Sequence, residues 1–140
     1  AMVDLATSTI LETAEAVART AHDGQVRKDG APYTTHFEMV VAQLANDDLR
    51  VVGWLHDVLE DTPVSSEDLI AKGIPEELVS EVVLLTKKRE QSYSDYISSL
   101  RSSSVARTVK KADIIANLSD NPGNRQTIKM CKALITLCQD

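Results

Sequence analysis

The apolar residues of this 140-residue chain recur every three or four positions, which is the spacing of one face of an α-helix. β-branched and polar residues nowhere alternate over a sustained stretch, so no β-sheet is predicted. Glycines and prolines fall between the periodic segments, where helices are expected to end. The sequence therefore predicts an all-α bundle of about eight helices. They are expected at about 4–22, 35–45, 48–60, 65–73, 75–87 and 92–100, from the serines at 102–104 to Asn121, and at 123–137.

Length and charge narrow the class of protein. A chain of 140 residues has the size of one domain, so residues 1–140 are predicted to form a single domain. Ala1 and Met2 are interpreted as the remnant of an expression tag. A net charge of −6 argues against a general nucleic-acid-binding surface, which needs a basic face. No apolar run approaches the roughly 18 residues of a membrane span, so neither nucleic acid nor a membrane is an expected partner.

The two cysteines, Cys131 and Cys138, lie seven positions apart in the last predicted helix. In an intact helix that separation is about 10 Å, which is too far for a disulfide bond. Their spacing is not that of a metal site either, and both are predicted to be small core residues. No charged and then apolar signal peptide opens the chain, and a cytoplasmic location is expected.

Ionisable residues cluster inside the third predicted helix, as His56, Asp57, Glu60 and Asp61. Residues four apart share a helix face, so Glu60 is expected one turn beyond His56, and Asp61 one turn beyond Asp57. Apolar neighbours such as Trp54, a predicted core residue, indicate that this helix is well buried. Burying such groups unpaired is costly, and a divalent cation would make the arrangement favourable. The spacing alone leaves a solvated acidic edge as the alternative.

Two further side chains would complete a mixed nitrogen and oxygen metal site. His36 lies near the start of the second predicted helix, and Asp113 lies on a helix far downstream. Two imidazoles and two carboxylates without a thiolate argue against structural zinc. They suit Mn²⁺, Fe²⁺ or another octahedral ion with open water positions. Such an ion lowers the pKa of bound water and clamps a phosphoryl oxygen, while Glu60 and Asp61 could handle protons or position the water.

Four stretches of the sequence resemble the HD-domain phosphohydrolases, and more narrowly the (p)ppGpp hydrolase domain of the RelA/SpoT type and its small stand-alone relatives. They are AHDGQVRKDGAPYTTH (21–36), WLHDVLEDT (54–62), GIPEELVSEVVLLTK (73–87) and VKKADIIANLSDN (109–121). The stretches occur in the family's order and together span most of the chain. The family fold is an all-α HD-domain bundle, which agrees with the helices expected from the periodicity.

The resemblance implies a metal centre and a reaction. His36, His56, Asp57 and Asp113 would be the metal ligands, and Mn²⁺ is the family's usual ion. The implied reaction removes the 3′-diphosphate from ppGpp or pppGpp by means of a metal-bound water. Its products are pyrophosphate and either GDP or GTP.

The resemblance also implies which residues act on the water and on the substrate. Glu60 and Asp61 would be the acidic pair that orients and activates the attacking water. Arg27 and Lys28 match the loop that meets the nucleotide base and phosphates in the family. Asn117, one turn after the last metal ligand, matches a contact to ribose or phosphate.

Three further residues have two interpretations each. Lys87, at the end of a predicted helix, is a candidate substrate contact on a positive rim, or it interacts favourably with the helix C-terminus. Lys110, three positions before Asp113, either contacts phosphate or is solvated. Tyr33 either lines the pocket or packs within its loop.

Two positions depart from the family pattern. Relatives usually carry Arg two residues after Asn117, where this chain has Ser119, and Asp29 replaces a small Ser. An extra anion facing a polyphosphate weakens binding if it points inward. These departures leave two alternatives open, an HD-domain phosphohydrolase of another nucleotide and a non-catalytic nucleotide-binding module. The sequence also leaves a monomer and a homo-oligomer open.

Overall fold

The computed structural model describes residues 2–139, with side chains described for residues 9–139. Within this range the chain is helical, and the only β-type pairing is an isolated bridge between Val26 and Pro32. The helices are α1 (Met2–Ala21), α2 (Thr34–Ala42), α3 (Asp47–Leu55), α4 (Val58–Asp61), α5 (Ser66–Ala71), α6 (Glu76–Leu84), α7 (Tyr93–Ser99), a 3₁₀ helix (Leu100–Ser102), α8 (Ser104–Leu118) and α9 (Asn124–Cys138). The predicted all-α fold is confirmed. Ala1 and the side chain of Met2, which were interpreted as the remnant of an expression tag, lie outside the described part of the chain.

The predicted third helix is two helices in the structure. α3 ends at Leu55 and α4 begins at Val58, so the prediction of one unbroken helix is wrong at His56 and Asp57. At the break, His56 Nδ1 lies 2.7 Å from the carbonyl oxygen of Gly53. An unbroken helix would offer that oxygen to the N–H four residues later, so the histidine side chain competes with the helical hydrogen bond. The break therefore falls on two of the residues that were expected to bind a metal.

α3 is the helix around which the core is built. It packs against α1, α2, α6 and α8, and its last five residues are buried. Trp54 is among them, as predicted for a core residue. Gly53 permits the close approach of α2 and of the residues just after it, because a Cβ at this position would lie 3.4 Å from Val41 Cγ2 and 2.7 Å from Leu44 Cδ1. Since α2 and α8 also pack against each other, helices from three separate parts of the chain pack together here.

Cys131 and Cys138 are exposed on α9, so the prediction that they are core residues is wrong. The buried residues of α9 are Met130, Ala133 and Leu137. Each cysteine follows a buried residue by one position, which rotates it by about 100° around the helix axis and out of the core. Both cysteines are free thiols.

Membrane-spanning helices need both length and apolar character. Among the described residues, no helix combines the two to the extent needed to cross a bilayer.

Candidate metal centre and substrate cavity

The four side chains predicted as metal ligands converge in the structure. His36 belongs to α2, His56 and Asp57 form the break between α3 and α4, and Asp113 belongs to α8. One potential ligand atom from each of the four lies within 4.8 Å of the others. Asp113 Oδ1 is 2.7 Å from His36 Nε2 and 3.2 Å from His56 Nε2. The cluster could therefore hold a metal ion.

The hydrogen bonding of His56 suits this cluster to a cation. His56 Nδ1 donates to the Gly53 carbonyl oxygen, which can only accept. In the neutral ring, Nε2 then carries a lone pair, which faces Asp57 Oδ2 at 3.4 Å and Asp113 Oδ1 at 3.2 Å. Such lone pairs repel one another unless a proton or a metal ion lies between them. The Gly53 hydrogen bond thus presents Nε2 in the tautomer that metal ligation requires.

Lys110 holds the second carboxylate oxygen of Asp113. Its Nζ lies 2.7 Å from Asp113 Oδ2, and the two side chains are only 14% and 5% exposed. Burial alone would raise the pKa of Asp113, but Lys110 and His56 hold that pKa well below its usual range. Burial alone would lower the pKa of Lys110, but Asp113 raises it. The structure thus replaces the solvated lysine of the sequence interpretation with a buried ion pair.

The metal-free protein is expected to lose stability as the pH rises above neutrality. Burial lowers the pKa of His56, but Asp57 and Asp113 outweigh burial and raise it from 6.5 to about 9. A group whose pKa is raised by folding stabilises the protein fully below its unfolded pKa, and this contribution is lost as the pH rises through the folded pKa. In the presence of a chelator, the midpoint temperature of thermal unfolding should therefore decrease as the pH is raised from 6.5 to about 9.

The variant His56→Gln, which cannot take up this proton, is the control for that measurement. We expect it to show a much smaller fall of the thermal midpoint over the same pH interval. A wild-type midpoint that does not fall, or an equal fall in both proteins, would rule out a charged His56 in the metal-free protein.

A second group of carboxylates borders the four clustered side chains. Oxygens of Asp57, Glu60 and Asp61 lie within 4.8 Å of one another, although Glu60 and Asp61 are exposed residues. Partial burial, and then the charge of Asp57, raise the pKa of Glu60 and of Asp61. Glu60 Oε1 accepts a hydrogen bond from the backbone N–H of Lys87 at 3.2 Å. Despite the helix break, carboxylates able to accept a proton lie next to the four clustered side chains.

A cavity of about 450 Å³ opens beside His36. Three of the four predicted substrate contacts, Arg27, Lys28 and Asn117, line it. The fourth, Lys87, is not among the lining residues. Its backbone N–H is bound to the carboxylate of Glu60, and its Nζ donates to the carbonyl of the next residue at 3.1 Å. The segment after α6 therefore runs beside α4 and not beside the cavity.

Part of the cavity wall comes from residues that no sequence motif indicates. They include Tyr93 at the start of α7, Asp120 after α8, and Lys129 and Met130 on α9. Lys129 Nζ lies 4.0 Å from the centroid of the Tyr93 ring, an arrangement that favours the cation. No local pattern marks these residues, because only the packing of α7 and α8 against α9 brings them to the cavity.

The loop between α1 and α2 forms another part of the wall. Tyr33 lines the cavity, and its hydroxyl lies 3.3 Å from Asp57 Oδ2, to which it donates. Asp29, the departure from the family pattern, is exposed and is not a lining residue. Its Oδ1 accepts a hydrogen bond from the Ala31 N–H at 2.9 Å, so this carboxylate stabilises the turn and does not face the cavity.

Comparison with known proteins identifies relatives of this chain, although no family model matches it. A guanosine-3′,5′-bis(diphosphate) 3′-pyrophosphohydrolase of Haemophilus influenzae is 33% identical over 119 residues, which are 80% of this chain and 18% of that protein. The bifunctional (p)ppGpp synthase/hydrolase SpoT of Escherichia coli is 34% identical over 126 residues, which are 84% of this chain and 18% of that protein. The chain thus spans less than a fifth of the length of these relatives.

A solved structure shares the fold. It is that of a metazoan orthologue of SpoT described as hydrolysing ppGpp, and it matches with a TM-score of 0.77 at 24% identity. The match covers 92% of this chain and 85% of that one. The predicted resemblance is confirmed: the chain is a relative of the RelA/SpoT-type (p)ppGpp hydrolases and has the helical fold of the metazoan protein.

Proposed function

We propose that this chain is a metal-dependent phosphohydrolase that removes the 3′-diphosphate from ppGpp or pppGpp. The observation that carries the proposal is the convergence of His36, His56, Asp57 and Asp113 beside a cavity with several basic lining residues. The activity named for the curated relatives supports the choice of substrate. Imidazole and carboxylate ligands without a thiolate support Mn²⁺ as the ion.

The residues of the site divide the work of this reaction. A bound ion supplies a Lewis acid that polarises a phosphoryl oxygen and lowers the pKa of water. Glu60 and Asp61 accept the proton of the attacking water, which their raised pKa favours. Arg27, Lys28 and Asn117 hold the nucleotide in the cavity. The water oxygen attacks the phosphorus attached to O3′, the bond between that phosphorus and O3′ breaks, and O3′ takes up a proton.

The test is product identification with the purified chain, ppGpp and Mn²⁺. We expect GDP and pyrophosphate in equal amounts, no orthophosphate, loss of turnover in EDTA and its return with Mn²⁺. Turnover of other nucleotides with none of ppGpp would favour a different HD-domain phosphohydrolase. Nucleotide binding without turnover under any divalent ion, at micromolar enzyme, would favour the non-catalytic module.

We also propose a cytoplasmic location, which the free thiols of Cys131 and Cys138 support. A monomer and a homo-oligomer both stay compatible with the proposal.

A further inference from the structure

The turn after α8 brings a carboxylate into a cavity whose other charged lining residues are basic. Arg27, Lys28, Lys110 and Lys129 are its basic residues, and Asp120 is the only acidic one among the described lining residues. Asp120 Oδ2 lies 3.1 Å from Arg27 Nη2, and the two side chains are 32% and 10% exposed. An ion pair sheltered to this degree is screened less by salt than a pair on the open surface.

Backbone hydrogen bonds hold both partners of this pair in place. The Arg27 N–H donates to the Ala31 carbonyl at 2.8 Å, and the Asp120 N–H donates to the Asn117 carbonyl at 3.1 Å. The other end of the guanidinium, Arg27 Nη1, lies 3.5 Å from Thr35 Oγ1. The pair is therefore a fixed contact between the loop before α2 and the turn after α8.

Ion pairing leaves two of the four lining cations available to a ligand. Lys110 is bound to Asp113 and Arg27 to Asp120, whereas Lys28 and Lys129 take part in none of the ion pairs found among the described residues. A nucleotide with one phosphate can be neutralised by those two lysines. A nucleotide with several phosphates needs a third cation. Asp120 neutralises the charge of Arg27, so Arg27 can offer that charge to a phosphate only if the ion pair opens.

We infer that Asp120 is a specificity-determining residue that occupies Arg27 in the free protein and releases it to the phosphates of a highly charged nucleotide. Breaking the pair opposes the binding of every ligand that uses Arg27, so Asp120 weakens the affinity for polyphosphates most. From the sequence, such an effect was expected of Asp29 if its side chain pointed inward, but Asp29 lies outside the cavity lining. The identity of the nucleotide rests on the proposed function.

The variant Asp120→Asn tests the inference by equilibrium binding of GMP, GDP and ppGpp to the full chain in EDTA, where no turnover is expected. We expect the variant to bind ppGpp about tenfold more tightly, GDP by a smaller factor, and GMP with a change of less than about twofold. A gain of equal size for all three ligands, no gain, or a loss of ppGpp affinity would each overturn the inference.

The matched control is Asp29→Asn. It removes one negative charge from a residue outside the cavity lining and keeps a side-chain oxygen for the Ala31 N–H. Its affinities should stay within about twofold of the wild type. If it reproduces the gain of Asp120→Asn, net charge and not the cavity residue determines the affinity, and the inference fails.

A double variant separates release of Arg27 from simple repulsion of the ligand. In an Arg27→Gln background, Asp120→Asn should change ppGpp affinity by less than about twofold, because no guanidinium remains to be released. A gain as large as in the wild-type background would overturn the proposed release of Arg27 from Asp120.

The binding measurement also distinguishes this inference from the proposed function, because it is made in EDTA. If the ppGpp affinity rises in Asp120→Asn but ppGpp is never hydrolysed, only the proposed function is overturned. Pyrophosphate release without the gain overturns only the role of Asp120.

Discussion

Asp113→Asn is expected to reduce pyrophosphate release by at least about a hundredfold and to destabilise the protein by about 3–5 kcal/mol. The loss of rate follows because Asp113 Oδ1 faces both imidazoles of the proposed metal centre. The loss of stability follows because the substitution leaves the ammonium of Lys110 buried without its carboxylate. Pyrophosphate release and urea unfolding measure the two effects on the same preparation.

The double variant Lys110→Met with Asp113→Asn separates these two effects. Removing both charges leaves no unpaired buried ion, so most of the lost stability should return, while pyrophosphate release should stay as low as in Asp113→Asn alone. A double variant as unstable as the single one would refute the account of the buried pair. Recovered activity would refute Asp113 as a metal ligand.

Glu60→Gln and Asp61→Asn should each slow pyrophosphate release by about 10²–10⁴-fold, with Mn²⁺ affinity close to that of the wild type. Both amides keep the shape of the side chain but cannot accept the proton of the attacking water. In Glu60→Gln the amide oxygen can still accept the Lys87 N–H, so the contact between α4 and the segment after α6 is preserved.

Glu77→Gln, an exposed acid on α6, is the matched control for these variants and should retain full activity. Single-turnover rates give the chemical step, and calorimetric titration with Mn²⁺ gives the affinity. If metal affinity falls as far as the rate does, Glu60 and Asp61 are ligands and not proton acceptors.

The helices could be predicted from the sequence because each buries one apolar face, and that period is local. The break in the third helix could not, because it depends on the His56 side chain taking the carbonyl of Gly53. Cys131 and Cys138 were misassigned for a related reason. Periodicity shows that α9 has an apolar face, but only packing against α7 and α8 decides which of its residues are buried.

The clustering of His36, His56, Asp57 and Asp113 could be predicted because the resemblance covers all three segments that carry them. The cavity was predictable only in part. Arg27, Lys28 and Asn117 stand in matching motifs, whereas Lys129 and Asp120 reach the cavity through the packing of α9 and through the turn after α8. The same limit applies to Lys110, whose spacing from Asp113 predicted proximity but not a buried ion pair.

Anomalous diffraction at the manganese edge, from crystals grown with Mn²⁺, tests the central claim most directly. We expect one strong peak at about 2.2 Å from His36 Nε2, His56 Nε2 and a carboxylate oxygen of each of Asp57 and Asp113. A strong peak elsewhere, or no peak from crystals that diffract well at that edge, would contradict a metal centre built from these four side chains.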